Sequence, residues 1–330
     1  MKTRRNTIGM AFACCLGAFG AGSANAQAPL QDVLYLLPAP ASLPAFAPWM
    51  IAKQRGYFAA EGLNVTFQVA RGGVDVAKQV GAGNAVVGGA IGDTPILVRA
   101  NGVPVKAIAV LGGGSLMQLV VNKDKGIKSV KDLKGKTVTT LAFQDTTYFA
   151  LLGMLATVGL TKDDVNAQAA GPVNIWKLFA AGQADAMASV PDWTFYALQA
   201  NPKMNVDIIP SDTVFKSMAQ AIVASDDTIK KNPELLRKLV RATLKGMKAE
   251  MDDPAAAAAD FAKAVPENAG KEADLTEIFK GFAKYVYAGQ QTLGEMNEQR
   301  LSDLQDFYLK EKIIEQKSSV KDLYTNELLK

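Results

Sequence analysis

One stretch constrains this chain more than any other: Gly126 to Leu155, GIKSVKDLKGKTVTTLAFQDTTYFALLGML. A charged turn and short helix, Lys128 to Lys134, stops at Gly135. The β-branched run Lys136 to Leu141 then reads as a strand entering a core. A polar bend follows, Gln144-Asp145-Thr146-Thr147, and behind it an apolar helix from Tyr148 to Val158. Strand, polar bend and helix in that order leave backbone N–H groups and hydroxyls pointing into a crevice. Gln144, Thr146 and Thr147 are therefore candidates to touch a ligand. Asp145 or Thr146 also suits a plain helix cap. The residues alone leave both roles open.

The same grammar recurs upstream. Val33 to Leu37 reads as a buried strand ending in the stiff loop Pro38-Ala39-Pro40-Ala41-Ser42-Leu43-Pro44, and a helix is predicted from Ala45 to Ala60. A second strand, Asn64 to Ala70, ends at Arg71-Gly72-Gly73, where glycines allow close backbone approach and Arg71 supplies a cation. A third, Ala85 to Ile91, runs into Gly92-Asp93-Thr94-Pro95, a helix start. Val105 to Leu111 leads to Gly112-Gly113-Gly114-Ser115, which lacks the lysine of a phosphate-binding loop. In the second half, Ala186 to Val190 ends at Pro191-Asp192-Trp193. In open α/β sheets ligands bind at the carboxyl ends of strands. The candidate ligand-binding set is thus Ser42, Leu43, Phe46, Arg71, Gly72, Gly73, Asp93, Thr94, Ser115, Gln144, Thr146, Thr147, Asp192 and Trp193. Trp193 either stacks on a ligand or packs beneath its own helix.

Residues 1–26 have the pattern of an export leader: Lys2, Arg4 and Arg5, an apolar run from Ile8 to Ala21, and Ala24-Asn25-Ala26 as a cleavage site. Cleavage after Ala26 and release as a soluble periplasmic protein are expected. Cys14 and Cys15 fall inside the leader and are the chain's two cysteines, and it has no histidine at all. Of the 36 basic and 32 acidic residues, Lys2, Arg4 and Arg5 are in the leader and no acid is, so the remainder is nearly neutral. No basic stripe suggests nucleic acid as a partner. About 300 residues is twice a common domain size, which predicts two lobes.

Five segments carry a family resemblance. Gly126 to Lys136, GIKSVKDLKGK, resembles the "GI-x-s-v-x-DLkGK" segment of periplasmic solute-binding proteins of ABC importers, in the nitrate, sulfonate and taurine group that also includes thiamine-precursor binders. Ile51 to Val65 is similar to the "A-x-x-x-G-x-F-x-x-x-GL-x-V" block. Val80 to Val87 matches the next, with Asn84 in place of the usual acid, and Val158 to Val165 and Trp176 to Ala186 match two more. The resemblance implies an α/β, type II-like binding-protein fold with two crossing strands, at Gln118 to Asn122 and Gln220 to Ala224. Lobe one is expected to be residues 27–119 plus 219–330, and lobe two 120–218. It further implies a monomer that closes on a small solute and docks on a membrane permease, with no cofactor and no metal. The implied solute is a sulfonate, taurine-like, nitrate-like or carboxylate anion. Asp93, Asp145, Asp192 and nearby aromatics alternatively suit a ligand carrying N–H donors, such as an aminosulfonate or an N-heterocycle like a thiamine-precursor pyrimidine. A two-carboxylate enzyme on the same fold is the remaining alternative. The thiamine-pathway enzyme that shares the fold depends on a histidine, which this chain lacks.

Overall fold

The computed structural model describes residues 29–330 apart from the side chain of Thr146, so the leader expected at 1–26 lies outside the described residues. Ten strands build two sheets. They are β1 (Gln31–Leu37), β2 (Leu63–Val69), β3 (Val87–Ile91), β4 (Val105–Val110), β5 (Gln118–Asn122), β6 (Thr137–Thr140), β7 (Asn166–Ala169), β8 (Ala186–Ser189), β9 (Val206–Pro210) and β10 (Gln220–Ser225). The first sheet has the order β2-β1-β3-β10-β4 and the second β7-β6-β8-β5-β9. β1 is parallel to β2 and β3, and β6 is parallel to β7 and β8. Each sheet receives one antiparallel strand beside its parallel core, β10 in the first and β5 in the second.

Both of those strands follow directly on a passage of the chain from one sheet to the other. Residues 111–117 lead into β5 and residues 211–219 lead back into β10. The two passages run side by side. Leu116 N–H donates to Met218 O at 3.1 Å, and Ser211 N–H to Met117 O at 3.3 Å. Within each sheet these parallel strands share one sense, and the loops after β1, β2, β3, β6 and β8 meet at the gap between the sheets.

The helix predicted from Ala45 to Ala60 is in fact three pieces: Pro44–Phe46, Ala47–Gln54 and Tyr57–Ala60. Gly56 separates the last two, at φ +70°, a left-handed backbone that ends one helix and starts the next. Trp49, Ile51 and Ala52 of the middle piece are fully buried. The helix Pro233–Asp252 packs on them with Leu235, Leu236, Leu239 and Val240 inward. The chain's end then covers the free edge of β4, through bridges from Ala107 to Tyr324 and from Val110 to Gly294. No helix among the described residues is long and apolar enough to cross a membrane.

Candidate functional site

The space between the sheets is walled by the strand-end loops. After β1 come Leu43, Ala45 and Phe46; at the end of β3, Ala90 and Ile91; after β6, Leu141, Asp145 and Thr147; after β8, Val190 and Trp193. Leu116, from the first crossing passage, and Gln220, at the head of β10, complete its lining. Its volume is about 40 Å³, because the two halves meet closely at the rim. Val74 N–H donates to Gln144 O across the gap at 3.1 Å. Gly72 lies against the backbone of Asp145 so tightly that a Cβ there would sit 2.9 Å from Asp145 Cα. As it stands, the space holds no more than a few atoms.

Most polar side chains predicted for the site are already partnered within the protein. Asp145 caps the helix Thr146–Ala156, accepting the Thr147 N–H at 2.9 Å and the Thr147 hydroxyl as well, so the donor expected of Thr147 is spent locally. Asp93 is buried and accepts the hydroxyl of Tyr308 at 2.9 Å. Burial pushes its carboxyl up to about 6, with the Tyr308 hydrogen bond pulling the other way. Thr94 accepts the Ile91 N–H at 3.2 Å. Ser115 Oγ lies 2.7 Å from Asp212 and 2.9 Å from the Ser217 carbonyl, and is held within the crossing passages. Ser42 offers its carbonyl to Asn268. Arg71 and Gln144 are exposed on the rim, and neither lines the gap. Of Thr146 only the backbone is described.

Asp192 differs from these. It begins the helix Pro191–Ala200 with its side chain fully buried, and both carboxylate oxygens lack a hydrogen-bond partner. The backbone N–H groups of Ala45, Asp192 and Trp193 stand close enough to ease its charge, though none reaches hydrogen-bond geometry. Burial dominates and pushes this carboxyl up to about 7. Ala45 lies in the helical piece Pro44–Phe46 that follows β1 of the first sheet, so Asp192 sits where the halves touch. Asp192 itself is not among the residues that line the gap, but two polar atoms of the wall are likewise buried without partners, Gln220 Oε1 and Trp193 Nε1. Gln220 escaped the sequence reading. Its signal was a lone amide heading the otherwise apolar strand QAIVAS. No Lys or Arg is among the described residues that line the gap.

The glycine run has a different use. Gly113 and Gly114 donate their N–H groups to Ala288 and Val286 carbonyls, both at 3.0 Å. A Cβ on Gly112 would come within 2.0 Å of the Val286 carbonyl. These glycines let the first crossing passage press against the chain's own C-terminal part, and not against a ligand.

The sequence profile of the family described as "NMT1/THI5 like" matches residues 43–257, well over half of the chain. The chain belongs to the NMT1/THI5-like family. Within curated sequences, this family member is 29% identical over 238 residues to the riboflavin-binding protein RibY of Chloroflexus aurantiacus, covering 70% of this chain and 65% of RibY. It spans, that is, just under two thirds of that relative's length. It is 26% identical over 237 residues to the 4-amino-5-hydroxymethyl-2-methylpyrimidine phosphate synthase of Aspergillus parasiticus, covering 68% of each. Among solved structures it is similar to the alkanesulfonate-binding protein SsuA of Xanthomonas axonopodis bound to MOPS. The TM-score is 0.71 at 17% identity, over 91% of this chain and 99% of SsuA. That likeness shows the periplasmic binding-protein fold, as expected from the sequence.

Proposed function

We propose that this protein is the solute-binding component of an ABC importer and that its solute is a flat nitrogen heterocycle bearing N–H donors. The observation that carries this reading is the polarity of the cleft wall. Its own partnerless buried atoms are the acceptor Gln220 Oε1 and the donor Trp193 Nε1, and the Asp192 carboxyl, also without a partner, is buried next to Trp193 just behind the wall. Phe46, Leu43, Ile91 and Trp193 supply apolar and aromatic surface around them. A buried carboxyl with no cation beside it offers nothing to hold a sulfonate or nitrate, repels either once ionised, and with Gln220 Oε1 suits a ring that donates hydrogen. The anion implied by the wider resemblance would need positive groups, and Arg71 lies exposed outside the gap. The names of the two sequence relatives point the same way, one binding riboflavin and the other making a pyrimidine.

In this reading the lobes, residues 27–119 plus 219–330 and residues 120–218, part at the crossing passages, admit the ring and close over it. Trp193 stacks on one face, Asp192 and Gln220 take its N–H groups, and the closed form is handed to a permease after export with cleavage following Ala26. The relatives that are synthases bear on a second reading, that of an enzyme. The absence of any histidine, and of cysteine beyond Cys14 and Cys15, removes the usual general base and nucleophile and favours a binder.

A thermal-shift panel tests the proposal with riboflavin, an aminopyrimidine, taurine and nitrate. A true ligand at a hundred times its Kd adds about 2.7 kcal/mol of stability. A ring compound is expected to shift the transition, and to be recovered unchanged by mass spectrometry after long incubation. Asp192→Asn, which removes the charge and puts an NH2 donor in place of one acceptor oxygen, should weaken its binding about 10- to 150-fold, the worth of a charge-assisted hydrogen bond at about 1.5–3 kcal/mol. Stabilisation by taurine or nitrate alone, indifferent to Asp192→Asn, would refute the heterocycle. Conversion of the ring compound would refute the binder.

A further inference from the structure

The helix Glu298–Lys310 meets both crossing passages at one residue. Arg300 Nη1 donates to the Gly113 carbonyl at 2.6 Å, in the first passage. Its Nη2 lies 3.0 Å from Ser115 Oγ in the first passage and 2.7 Å from Asp212 Oδ1 in the second, and it also reaches the Ser217 carbonyl. Asp212 in turn accepts the Ser115 N–H at 2.8 Å and lies within reach of the Ser115 hydroxyl. One guanidinium thus holds four groups on two strands of chain that must flex together if the lobes are to part. A planar fork of five donors can do this, and a lysine ammonium cannot cover the same span.

The same helix grips the second passage a turn or two further on. Phe215 packs against Phe307 and Tyr308, with ring centroids 4.8 and 5.7 Å apart. Its other side touches Gly153 of the helix Thr146–Ala156, on the far half of the molecule, where a Cβ would come within 2.6 Å of the ring. Tyr308 also donates to Asp93 at the end of β3. The helix is therefore anchored on the first sheet, pinned to both passages, and in contact through Phe215 with the second half.

We infer that Arg300 is the pin of the hinge, a positioning residue that ties the two crossing passages together and limits how freely the lobes separate. The inference rests on the reading of the gap as a closing solute site, but its primary test needs no solute. Spin labels are placed on Gln68→Cys and Asn174→Cys, both exposed and one in each half, in a full chain carrying Cys14→Ser and Cys15→Ser. The distance distribution is measured by pulsed electron resonance without ligand. Arg300→Ala is expected to broaden it roughly twofold toward longer distances, with Arg300→Lys between the two. With riboflavin as the probe, Arg300→Ala should raise the dissociation rate about tenfold and change the association rate little. A variant that folds, by circular dichroism, and keeps the parent's distance distribution overturns the inference. If Arg300→Ala does not fold, Ser115→Ala and Asp212→Asn each remove one side of the tie, and unchanged distributions in both overturn it equally. Failure of riboflavin to bind, with broadened distributions, would count against the solute assignment and leave the pin standing.

Discussion

Gly72→Ala isolates closure from folding. Gly72 has φ +95° and ψ 169°, a region open almost only to glycine, so any side chain there costs about 1–3 kcal/mol in every state that keeps the turn. That cost lowers stability but leaves the balance between open and closed lobes untouched. A second cost exists only when the lobes meet. The added Cβ would stand 2.9 Å from Asp145 Cα and 3.1 Å from Asp145 N, both backbone atoms of the opposite half. Asp145 cannot yield alone, because its side chain is bonded to the Thr147 N–H and hydroxyl and its neighbour Gln144 accepts the Val74 N–H. Overpacking of this kind costs about 1–3 kcal/mol, which weakens solute binding about 5- to 150-fold. Gly126→Ala is the control. Gly126 also has positive φ, +73°, yet nothing lies within 4 Å of its missing Cβ. Urea unfolding should show both variants destabilised, whereas titration of Trp193 fluorescence with the ring compound retained from the panel should show only Gly72→Ala weakened. Equal affinity in the two variants would refute the claim that this contact belongs to the closed state.

Two further outcomes concern stability. Gly246→Ala should destabilise the protein in urea despite alanine's better helix propensity, since its Cβ would meet the Pro48 carbonyl at 2.0 Å; a more stable variant would show that the contact of the two helices relaxes freely. Asp93, pushed up to about 6 by burial, binds its proton more tightly in the folded than in the unfolded chain. The stability it contributes is full below about pH 4 and is lost as pH rises through 6, at most about 3 kcal/mol. Asp93→Asn should flatten that part of the profile, while Asp192, pushed up to about 7, maintains a residual fall of the same sign. An unaltered profile would show that Asp93 is solvated.

The parts of the fold that were legible in sequence were those with a local chemical cause. Val33–Leu37, Gln118–Asn122 and Gln220–Ala224 announce strands by apolar, β-branched runs, and the structure places strands on all three. β7 was missed because Asn166-Ala167-Gln168-Ala169 has no such run; it is a strand because β6 offers it a ladder at the sheet edge. Strand ends located the loops that converge on the gap. They did not say which side chains there would be consumed by the protein itself. Whether Thr147 donates to a solute or to Asp145, and whether Asp93 meets a solute or Tyr308, depends on partners 2 and 215 residues away. Nothing in the local pattern distinguishes Asp192 from Asp93. Only the packed structure shows one carboxylate satisfied and the other not.

The glycine run carries this lesson to the hinge. Gly112-Gly113-Gly114 at a strand end signals that something comes close to the backbone, and it does. What comes close is the chain's own segment 285–289, whose carbonyls take the Gly113 and Gly114 N–H groups. Arg300, a little further along, then gathers the same passage to the other one. Residues 233–310 thereby divide between two jobs. Pro233–Asp252 packs on the helix Ala47–Gln54 through Gly246 and its leucines, and 285–310 forms the back of the hinge. The solute is proposed to meet loops from both halves at the front, while the freedom with which those halves meet is set from behind. Affinity in such an arrangement is the product of cleft contacts and of the fraction of molecules able to close. Substitutions at Arg300 and at Asp192 should therefore multiply in Kd if each acts on its own factor, and a double variant no weaker than Asp192→Asn alone would show that the two are not separate.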